Sequence, residues 1–145
     1  MVQLDIFEVQ EATALYVEAI DRLLAQLSSS ERHFTIEELQ AIVDSGSSHL
    51  FLARHNGGIV AMLTVGEYLA PTGRKMWIED VVVDVAARGN SFGRAMVEYA
   101  MEYAQKVGDC VLMLTSRPSR IAANALYRSC GFEQRETNVY KMKFD

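Results

Sequence analysis

The hydrophobic pattern of the N-terminal region changes from one period to another. Residues 2–9 alternate apolar Val2, Leu4 and Ile6 with polar positions, which is typical of a half-buried strand. From about Gln10 to Leu27, apolar residues recur every three to four positions, as on the buried face of an amphipathic helix. The members of this apolar stripe are Ala12, Leu15, Ala19, Leu23 and Leu27, with Tyr16 and Ile20 beside them. A first strand and a first helix are therefore predicted.

A serine cluster at positions 28–30 predicts the end of the first helix. Thr35 is followed three residues later by Glu38, the spacing of a capping box, and this predicts a second helix. Gly46 predicts where the second helix stops. Two helices thus precede most of the predicted sheet.

Three strands are predicted next, separated by turn residues. They cover His49 to Arg54, Ile59 to Leu69 and Lys75 to Asp84. Asn56-Gly57-Gly58 is a strong hairpin signal, and Pro71-Thr72-Gly73 predicts the following turn. Because both connections are short, the three strands are expected to form an antiparallel meander.

The second half of the chain alternates predicted helices and strands. A helix from about Ser91 to Val107 is followed by the continuous apolar run Cys110 to Thr115, which favours a strand covered on both faces. A short helix over Ile121 to Ser129 precedes two terminal strands, Phe132 to Arg135 and Asn138 to Phe144. The strand before Ser91, the long helix and the apolar run together predict a parallel βαβ crossover.

These elements predict a single α/β (α+β) domain over residues 1–145. Its sheet is expected to be mixed, mostly antiparallel and twisted, with one βαβ crossover and helices on both faces. Half of the residues are hydrophobic and 23% are charged, as expected for a globular chain. The net charge is −5 and no Lys or Arg cluster stands out, which argues against nucleic-acid binding.

Cysteine usage and the N-terminal sequence predict a cytoplasmic protein. Cys110 and Cys130 lack metal-ligand or redox spacing and lie in apolar segments, so a core role in a reducing compartment is expected. The first residues resemble no secretory leader, and no apolar run is long enough to cross a membrane. The histidines show no ligand spacing, so no metal site is predicted.

The stretch that joins the third strand to the long helix is a candidate anion site. Backbone N–H groups at the start of a helix are unpaired and lie at the positive end of its dipole. The loop has neither the Lys-Ser/Thr ending of a Walker loop nor the three glycines of a dinucleotide fingerprint. Its residues are Arg88, Gly89, Asn90, Ser91, Phe92, Gly93 and Arg94. The simpler alternative is that Asn90 or Ser91 caps the helix.

Adjacent carboxylates interrupt the apolar third strand. Glu79 and Asp80 stand between Trp77-Ile78 and Val81 to Val83, and successive strand residues point to opposite faces. At least one carboxylate is therefore expected to enter the interior or a cleft, where burial would raise its pKa. A general base, a residue that binds a cationic substrate and a structural ion pair all remain compatible with this pattern.

Near the C-terminus, Asn124 and Tyr127 are three residues apart and share a helix face, shortly before Gly131-Phe132. Taken singly, each would be a solvated or packed helix residue. Together with the loop, they resemble the two sequence elements of the GNAT superfamily, the Gcn5-related N-acetyltransferases. The loop resembles the family's Q/R-x-x-G-x-G/A pattern, with serine at position 91 in place of the middle glycine. Residues 124–132, which read N-x-x-Y-x-x-x-G-F, resemble the family's C-terminal Asn, Tyr and Gly-Phe element.

The resemblance implies an N-acetyltransferase that takes acetyl-CoA as cosubstrate and needs no metal. It implies that the backbone of Val81, Val82 and Val83 lies beside the pantetheine arm, with an N–H near Val81 polarising the thioester carbonyl. The N–H groups of the loop from Gly89 to Arg94 would hold the pyrophosphate.

Four side chains receive roles on the same basis. Asn124 would hold the pantetheine arm or the phosphates, and Tyr127 would protonate the departing thiolate. Glu79 would act as general base, with Asp80 as a substrate-binding residue.

The expected acceptor is a primary amine on a small molecule. The alternatives are acetylation of a protein N-terminus or lysine, and a non-catalytic acyl-CoA-binding module. Neither a nucleic acid nor a membrane is expected as a partner. Exposed terminal strands could pair across a homodimer.

Overall fold

The computed structural model describes residues 3–28 and 32–145 and contains an α/β fold with a five-stranded mixed sheet. The chain falls into two compact units, Met1–Thr115 and Ser116–Asp145. The elements in chain order are β1 (Asp5–Glu8), α1 (Ala14–Leu27), α2 (Ile36–Asp44), β2 (Ser48–His55), β3 (Gly58–Ala70), β4 (Gly73–Val83), a 3₁₀ turn (Val85–Ala87), α3 (Phe92–Val107), β5 (Val111–Met113) and α4 (Ile121–Ser129).

The first helix begins later than its hydrophobic stripe predicts. Thr13 is the N-cap, and its hydroxyl accepts the N–H of Tyr16 at 3.2 Å, so Ala14 is the first helical residue. Leu15, expected to face the core, is 63% exposed in the first turn of the helix. Ser28 ends the helix, whereas Ser29, Ser30 and the predicted strand position Val2 lie outside the described residues.

The second helix begins with the predicted capping box. The Thr35 hydroxyl accepts the N–H of Glu38 at 3.2 Å, and the Glu38 carboxylate accepts the N–H of Thr35 at 3.1 Å. Two otherwise unpaired N–H groups of the helix start are therefore satisfied reciprocally. Glu37 and Glu38 also place negative charge at the positive end of the helix dipole.

The sheet has the strand order β1-β2-β3-β4-β5. The first four strands pair antiparallel, which confirms the predicted meander, and β5 pairs parallel to β4, which confirms the βαβ connection through α3. The β2–β3 hairpin turns at Asn56 and Gly57, with φ of +51° and +80°. Positive φ at both central turn residues is the requirement of a type I′ hairpin, and Asn-Gly meets it with little strain.

Helices cover both faces of the sheet within the first unit. On one face, Ile20 and Leu23 of α1 and Leu39 of α2 pack against Leu52 of β2 and Met62 of β3. On the opposite face, Phe51 of β2 contacts Tyr99 and Tyr103 of α3, with ring centroids 5.2 and 5.4 Å apart. Successive side chains of β2 thus point to opposite faces of the sheet and pack in two separate cores.

Of three strand predictions in the C-terminal part, the two terminal strands, Phe132 to Arg135 and Asn138 to Phe144, are wrong, and the strand at Cys110 to Thr115 is confirmed only in part. No strand forms over residues 132–145, where Tyr140, Met142 and Phe144 are exposed rather than packed on a shared sheet face. The apolar run Cys110 to Thr115 gives only the three-residue strand β5, and Val111 is 49% exposed, so this strand is not covered on both faces. An apolar or alternating run predicts strand conformation but does not supply a partner strand.

The described residues include no helix with the length and apolar character needed to span a membrane. Cys110 and Cys130 are not disulfide-bonded and are of intermediate exposure. Residues 3–28 and 32–145 contain no group of three or more His, Cys, Asp or Glu side chains arranged to hold a metal ion.

Candidate active site

A β-bulge in β4 determines how Glu79 and Asp80 are presented. Thr64 of β3 pairs with Glu79, but Met62 pairs with Val82, so β4 has one more residue than β3 between these two pairs. Asp80 accommodates the extra length with a φ of +51°. Aspartate tolerates this left-handed conformation better than most residues, and a bulge leaves backbone groups outside the ladder.

The register resolves which face of the sheet carries Glu79. Its partner Thr64 pairs in turn with Leu50, and Leu50 belongs to the core beneath α1 and α2. Glu79 therefore lies on the α1 and α2 face. Glu79 and Asp80 are both exposed, so neither enters the interior, because the bulge interrupts the alternation that would have buried one of them. That one of them faces a cleft stays a prediction.

The pKa of Glu79 is raised above its ordinary value. Its first cause is desolvation of the carboxyl group by surrounding protein, and the second is the negative charge of Asp80. The residue as a whole is exposed, so this desolvation is partial. A carboxyl group with a raised pKa that remains accessible from solvent is suited to accept a proton from a bound ligand.

Beyond its pairing with β5, β4 has an open edge. The parallel pairing covers only Lys75, Met76 and Trp77, which pair with residues 111–113. From Ile78 to Val83, no β5 residue pairs with β4 in the part of the chain that the structure describes. Backbone groups on this side of Val81 to Val83 are therefore placed where an extended ligand could bond to them, as in strand addition.

The 88–94 loop keeps the backbone geometry of a glycine loop. Ser91 occupies the N-cap position of α3 with φ +61° and ψ +24°, and its side chain makes no capping hydrogen bond. The Asn90 amide donates to the carbonyl oxygen of Ala87 at 3.0 Å. Neither side chain caps the helix, so the simpler interpretation of the loop is not supported.

The start of α3 fits an anionic group. The first α-helical bond runs from the Ala95 N–H to the Ser91 carbonyl, so the N–H groups of the preceding turn have no acceptor within the helix. No acidic residue lies in the first turn. Gly89 has a φ of +88°, and nothing lies within 4 Å of where a Cβ would stand, so the loop leaves its backbone accessible.

Three polar residues outside the predicted site, Arg22, Gln26 and Asp84, bond the segment that precedes this loop. Asp84 accepts the N–H of Ala86 at 3.0 Å and forms an ion pair with Arg22 of α1. The Gln26 carbonyl oxygen accepts the N–H of Val85 at 2.8 Å. These contacts were not predicted from the sequence. The spacing of Arg22 and Gln26 places both on one face of a helix, but it does not indicate which distant segment they meet.

In the second unit, α4 carries Asn124 and Tyr127 as predicted. The Asn124 amide donates to the carbonyl oxygens of Arg117 and Arg120, at 2.9 and 2.8 Å, and so fixes the turn that leads into the helix. Tyr127 is buried, with its ring 6.2 Å from that of Phe132. Gly131 follows the helix with a φ of +104°, as expected of a C-terminal glycine.

The structure therefore places the predicted residues in two groups. Glu79, Asp80 and Val81 to Val83 lie on β4, and the 88–94 loop follows directly through a 3₁₀ turn in the same unit. Asn124 and Tyr127 belong to the second unit.

The open β4 edge and the glycine-type loop before α3 agree with the comparison with known proteins. Residues 13–132 match the Acetyltransferase (GNAT) family, and the chain belongs to this family of acyltransferases. Enzymes of this family use acetyl-CoA.

Among characterised relatives, the chain is similar to glucosamine 6-phosphate N-acetyltransferase 1 of Oryza sativa subsp. japonica. The two are 30% identical over 129 residues, which is 81% of this chain and 74% of that protein. The crystal structure of glucosamine-6-phosphate N-acetyltransferase from Arabidopsis thaliana superposes with a TM-score of 0.81 and 25% identity, covering 99% of each chain. A transcriptional regulator from Bacillus halodurans C-125 superposes with a TM-score of 0.82 and 28% identity, covering 98% of this chain and all of that one.

Proposed function

We propose that this protein transfers the acetyl group of acetyl-CoA to a primary amine on a small molecule. The observation that carries the proposal is the 88–94 loop, in which Ser91 adopts the left-handed conformation expected of the family's glycine. The loop thus retains a backbone suited to pyrophosphate although the residue is serine.

The proposed reaction is a direct displacement. The amine nitrogen attacks the thioester carbonyl carbon, a C–N bond forms, and the C–S bond breaks to release the thiolate. Glu79 accepts the proton that the protonated amine must lose before attack, and its raised pKa brings it closer to the working range of a general base. Asp80 adds negative charge beside Glu79 and is assigned a role in binding the cationic acceptor.

The backbone of β4 is assigned to the acyl end of the cosubstrate. An N–H near Val81, at the bulge, would donate to the thioester carbonyl and stabilise the oxyanion that develops there. Val82 and Val83 would present backbone groups to the pantetheine arm along the open edge of the strand. The N–H groups of residues 89–94, beside Arg88, would hold the pyrophosphate.

Tyr127 keeps the role that the family resemblance gives it, whereas Asn124 receives an indirect role in place of direct contact with the cosubstrate. Tyr127 would donate its phenolic proton to the departing thiolate. The second proton, which the nitrogen loses after attack, would return to the tyrosinate directly or through water and so complete the proton balance of the reaction. Asn124 would contribute to cosubstrate binding by fixing the start of α4, since its amide holds two loop carbonyls.

The acceptor is proposed to be a small amine, and amino-sugar phosphates come first for testing. The support is similarity alone, since the rice and Arabidopsis relatives are named for glucosamine 6-phosphate. A panel should also contain a free amino sugar, a polyamine and a peptide with a free N-terminus and a lysine. Acetylation of the peptide alone would replace the small-molecule proposal with protein acetylation.

Cosubstrate binding is tested first, by thermal unfolding with and without millimolar acetyl-CoA. Ligand at about 100 times its dissociation constant adds about 2.7 kcal/mol to the free energy of unfolding. The midpoint should therefore rise by several degrees. An unchanged midpoint in both the wild type and Ser91→Gly would overturn the acetyl-CoA assignment.

Catalysis is tested by release of free thiol in the presence of the amine panel. Glu79→Gln should lower kcat by about 10²- to 10⁴-fold while leaving the dissociation constant for acetyl-CoA nearly unchanged. Glu98→Gln, an exposed substitution on α3, is the matched control and should have no effect. Binding without turnover of any amine would indicate a non-catalytic acyl-CoA-binding module.

The pH profile separates a general base from a residue that only binds substrate. In the wild type, kcat/KM should fall as pH decreases through the raised pKa of Glu79, because only the carboxylate accepts a proton. Asp80→Asn removes the neighbouring charge and should move this fall to lower pH. Glu79 would be excluded as the base by two results together. The fall of kcat/KM would stay at the same pH in Asp80→Asn, and it would persist in Glu79→Gln.

A further inference from the structure

The segment that joins β4 to the 88–94 loop is attached to helix α1 by a set of polar contacts. Arg22 of α1 forms an ion pair with Asp84 and also donates to the carbonyl oxygen of Ile59 at 2.9 Å. One helical turn further along α1, Gln26 donates to Asp84 at 3.4 Å and accepts the N–H of Val85 at 2.8 Å. We call Arg22, Gln26 and Asp84 the α1 clamp.

The α1 clamp fixes the backbone on both sides of Asp84. The N–H of Asp84 donates to the carbonyl oxygen of Val60 at 2.7 Å, which holds the end of β4 on β3. Its carboxylate accepts the N–H of Ala86 at 3.0 Å, and its carbonyl accepts the N–H of Ala87 at 2.8 Å. These bonds form the 3₁₀ turn over Val85–Ala87 that leads directly into Arg88.

The charge of the Asp84 carboxylate supports its pairing with Arg22. The N–H of Ala86 is the largest cause of a lowered pKa at Asp84; burial opposes it, and Gln26 and Arg22 lower the pKa further. The carboxylate is therefore negatively charged at neutral pH and remains paired with Arg22. The Asp84 side chain is 17% exposed and that of Arg22 is 44% exposed, so the carboxylate is the more shielded partner of a partly exposed pair.

We propose that the α1 clamp positions the 88–94 loop for the pyrophosphate of coenzyme A, so that α1 determines cosubstrate affinity without touching the ligand. This inference rests on the proposed function. Pyrophosphate binding by backbone N–H groups needs those groups to converge on one position. A loop whose first turn is bonded to a packed helix loses less freedom on binding than a loop that must be ordered by the ligand.

The test compares two acetyl donors. Acetyl-CoA carries the pyrophosphate, whereas S-acetylpantetheine has the same thioester and lacks the pyrophosphate. Arg22→Met and Gln26→Leu should each raise the dissociation constant for coenzyme A, measured by calorimetry, by about fivefold or more. The same variants should lower kcat/KM for acetyl-CoA by a similar factor and leave kcat/KM for S-acetylpantetheine within about twofold of wild type.

Control variants separate positioning from general stability. Arg54→Met removes an ion pair with Asp5 of β1, and Gln40→Leu removes a bond to Asp44 at the end of α2. Both should leave the dissociation constant unchanged, even where they lower the unfolding midpoint. Arg22→Lys keeps the charge opposite Asp84 and should recover part of the lost affinity.

The outcomes distinguish the two proposals. If the wild type binds coenzyme A and the variants of the α1 clamp bind it equally well, the clamp proposal is wrong while the proposed function stands. Equal losses with both acetyl donors would also overturn it, since the defect would then lie outside the pyrophosphate contacts. If the wild type itself binds no coenzyme A, the proposed function fails and the clamp proposal fails with it.

Discussion

At the scale of single residues, Ser91 stands where the family pattern that the loop resembles has glycine, and it adopts a left-handed backbone conformation that glycine favours. Its φ of +61° is strained for a residue with a Cβ, at a cost of about 1–2 kcal/mol. Its hydroxyl makes no capping bond that would offset this cost. Strained backbone of this kind persists only where contacts on both sides hold it in place. Ser91 lies between the turn that the α1 clamp holds and the packed helix α3.

We therefore predict that Ser91→Gly stabilises the protein. Relief of strain exceeds the added conformational freedom of the unfolded chain, leaving a gain of about 0.5–1 kcal/mol. Thermal unfolding should show a midpoint about 2 °C higher. Ser91→Ala is the control: it keeps the Cβ and removes only the hydroxyl, so stability should not change. A clear loss of stability in Ser91→Ala would reveal a capping role for the hydroxyl.

Residue identities predicted much of the candidate site, but not its local geometry. The Asn124 and Tyr127 spacing and the loop pattern are visible in the sequence because they depend on residue type. The bulge at Asp80 is not visible, because a period of two along a strand cannot show where one strand gains a residue over its partner. The contacts of Arg22 and Gln26 with Asp84 and Val85 were equally hidden, since they join positions about sixty residues apart.

At the scale of secondary-structure elements, the start of α2 allows a test of how much one helix cap contributes to stability. Thr35→Ala removes the oxygen that accepts the Glu38 N–H and should lower the free energy of unfolding by about 1 kcal/mol. Urea denaturation should show a lower midpoint at an unchanged m-value. Thr35→Ser keeps the accepting oxygen and should cost much less. Equal losses in the two variants would mean that the methyl group, rather than the cap, stabilises the helix.

Element prediction worked best where a local signal marked a boundary. The capping box at Thr35 and the Asn56-Gly57 turn were confirmed because each satisfies hydrogen bonds or dihedral angles within a few residues. Periodicity alone puts the start of α1 too early, since the apolar stripe extends past the true cap at Thr13. Strand predictions were wrong where strand formation depends on pairing with another strand. Residues 138–144 have a strand-like alternation, yet no partner strand is bonded to them in the part of the chain described.

At the scale of the whole molecule, a cluster of charged and aromatic groups ties four strands to α3. His49 of β2 lies between two carboxylates, with Nδ1 2.8 Å from Glu8 of β1 and Nε2 2.9 Å from Glu67 of β3. Arg74 of β4 donates to Glu67 at 3.1 Å, and the Tyr103 ring of α3 is centred 5.0 Å from the imidazole. No sequence signal indicates this cluster, because each strand contributes one member and only the register brings them together.

The His49 cluster should make the stability of the protein depend on pH. Burial lowers the pKa of His49, but the hydrogen bonds and negative charges of Glu67 and Glu8 outweigh it, so the net pKa is raised. The folded protein therefore holds this proton more tightly than the unfolded chain, whose histidine pKa is about 6.5. The resulting stabilisation is complete below about pH 6.5 and is lost as pH rises through the higher folded-state pKa.

Urea unfolding of the wild type and His49→Gln across about pH 5.5 to 9 would measure this effect. The glutamine side chain of the variant stays polar but cannot carry the proton, so the variant should be less stable by about 1–2 kcal/mol at about pH 6, and the difference should shrink toward about pH 9. His33 and His55 are present in both proteins, so the difference between the curves isolates His49. His33→Gln, at an exposed site, is the matched control. If the stability difference between the two proteins stays constant over this range, His49 stabilises the sheet by packing alone. If the difference grows with pH, burial rather than the two carboxylates dominates the pKa of His49.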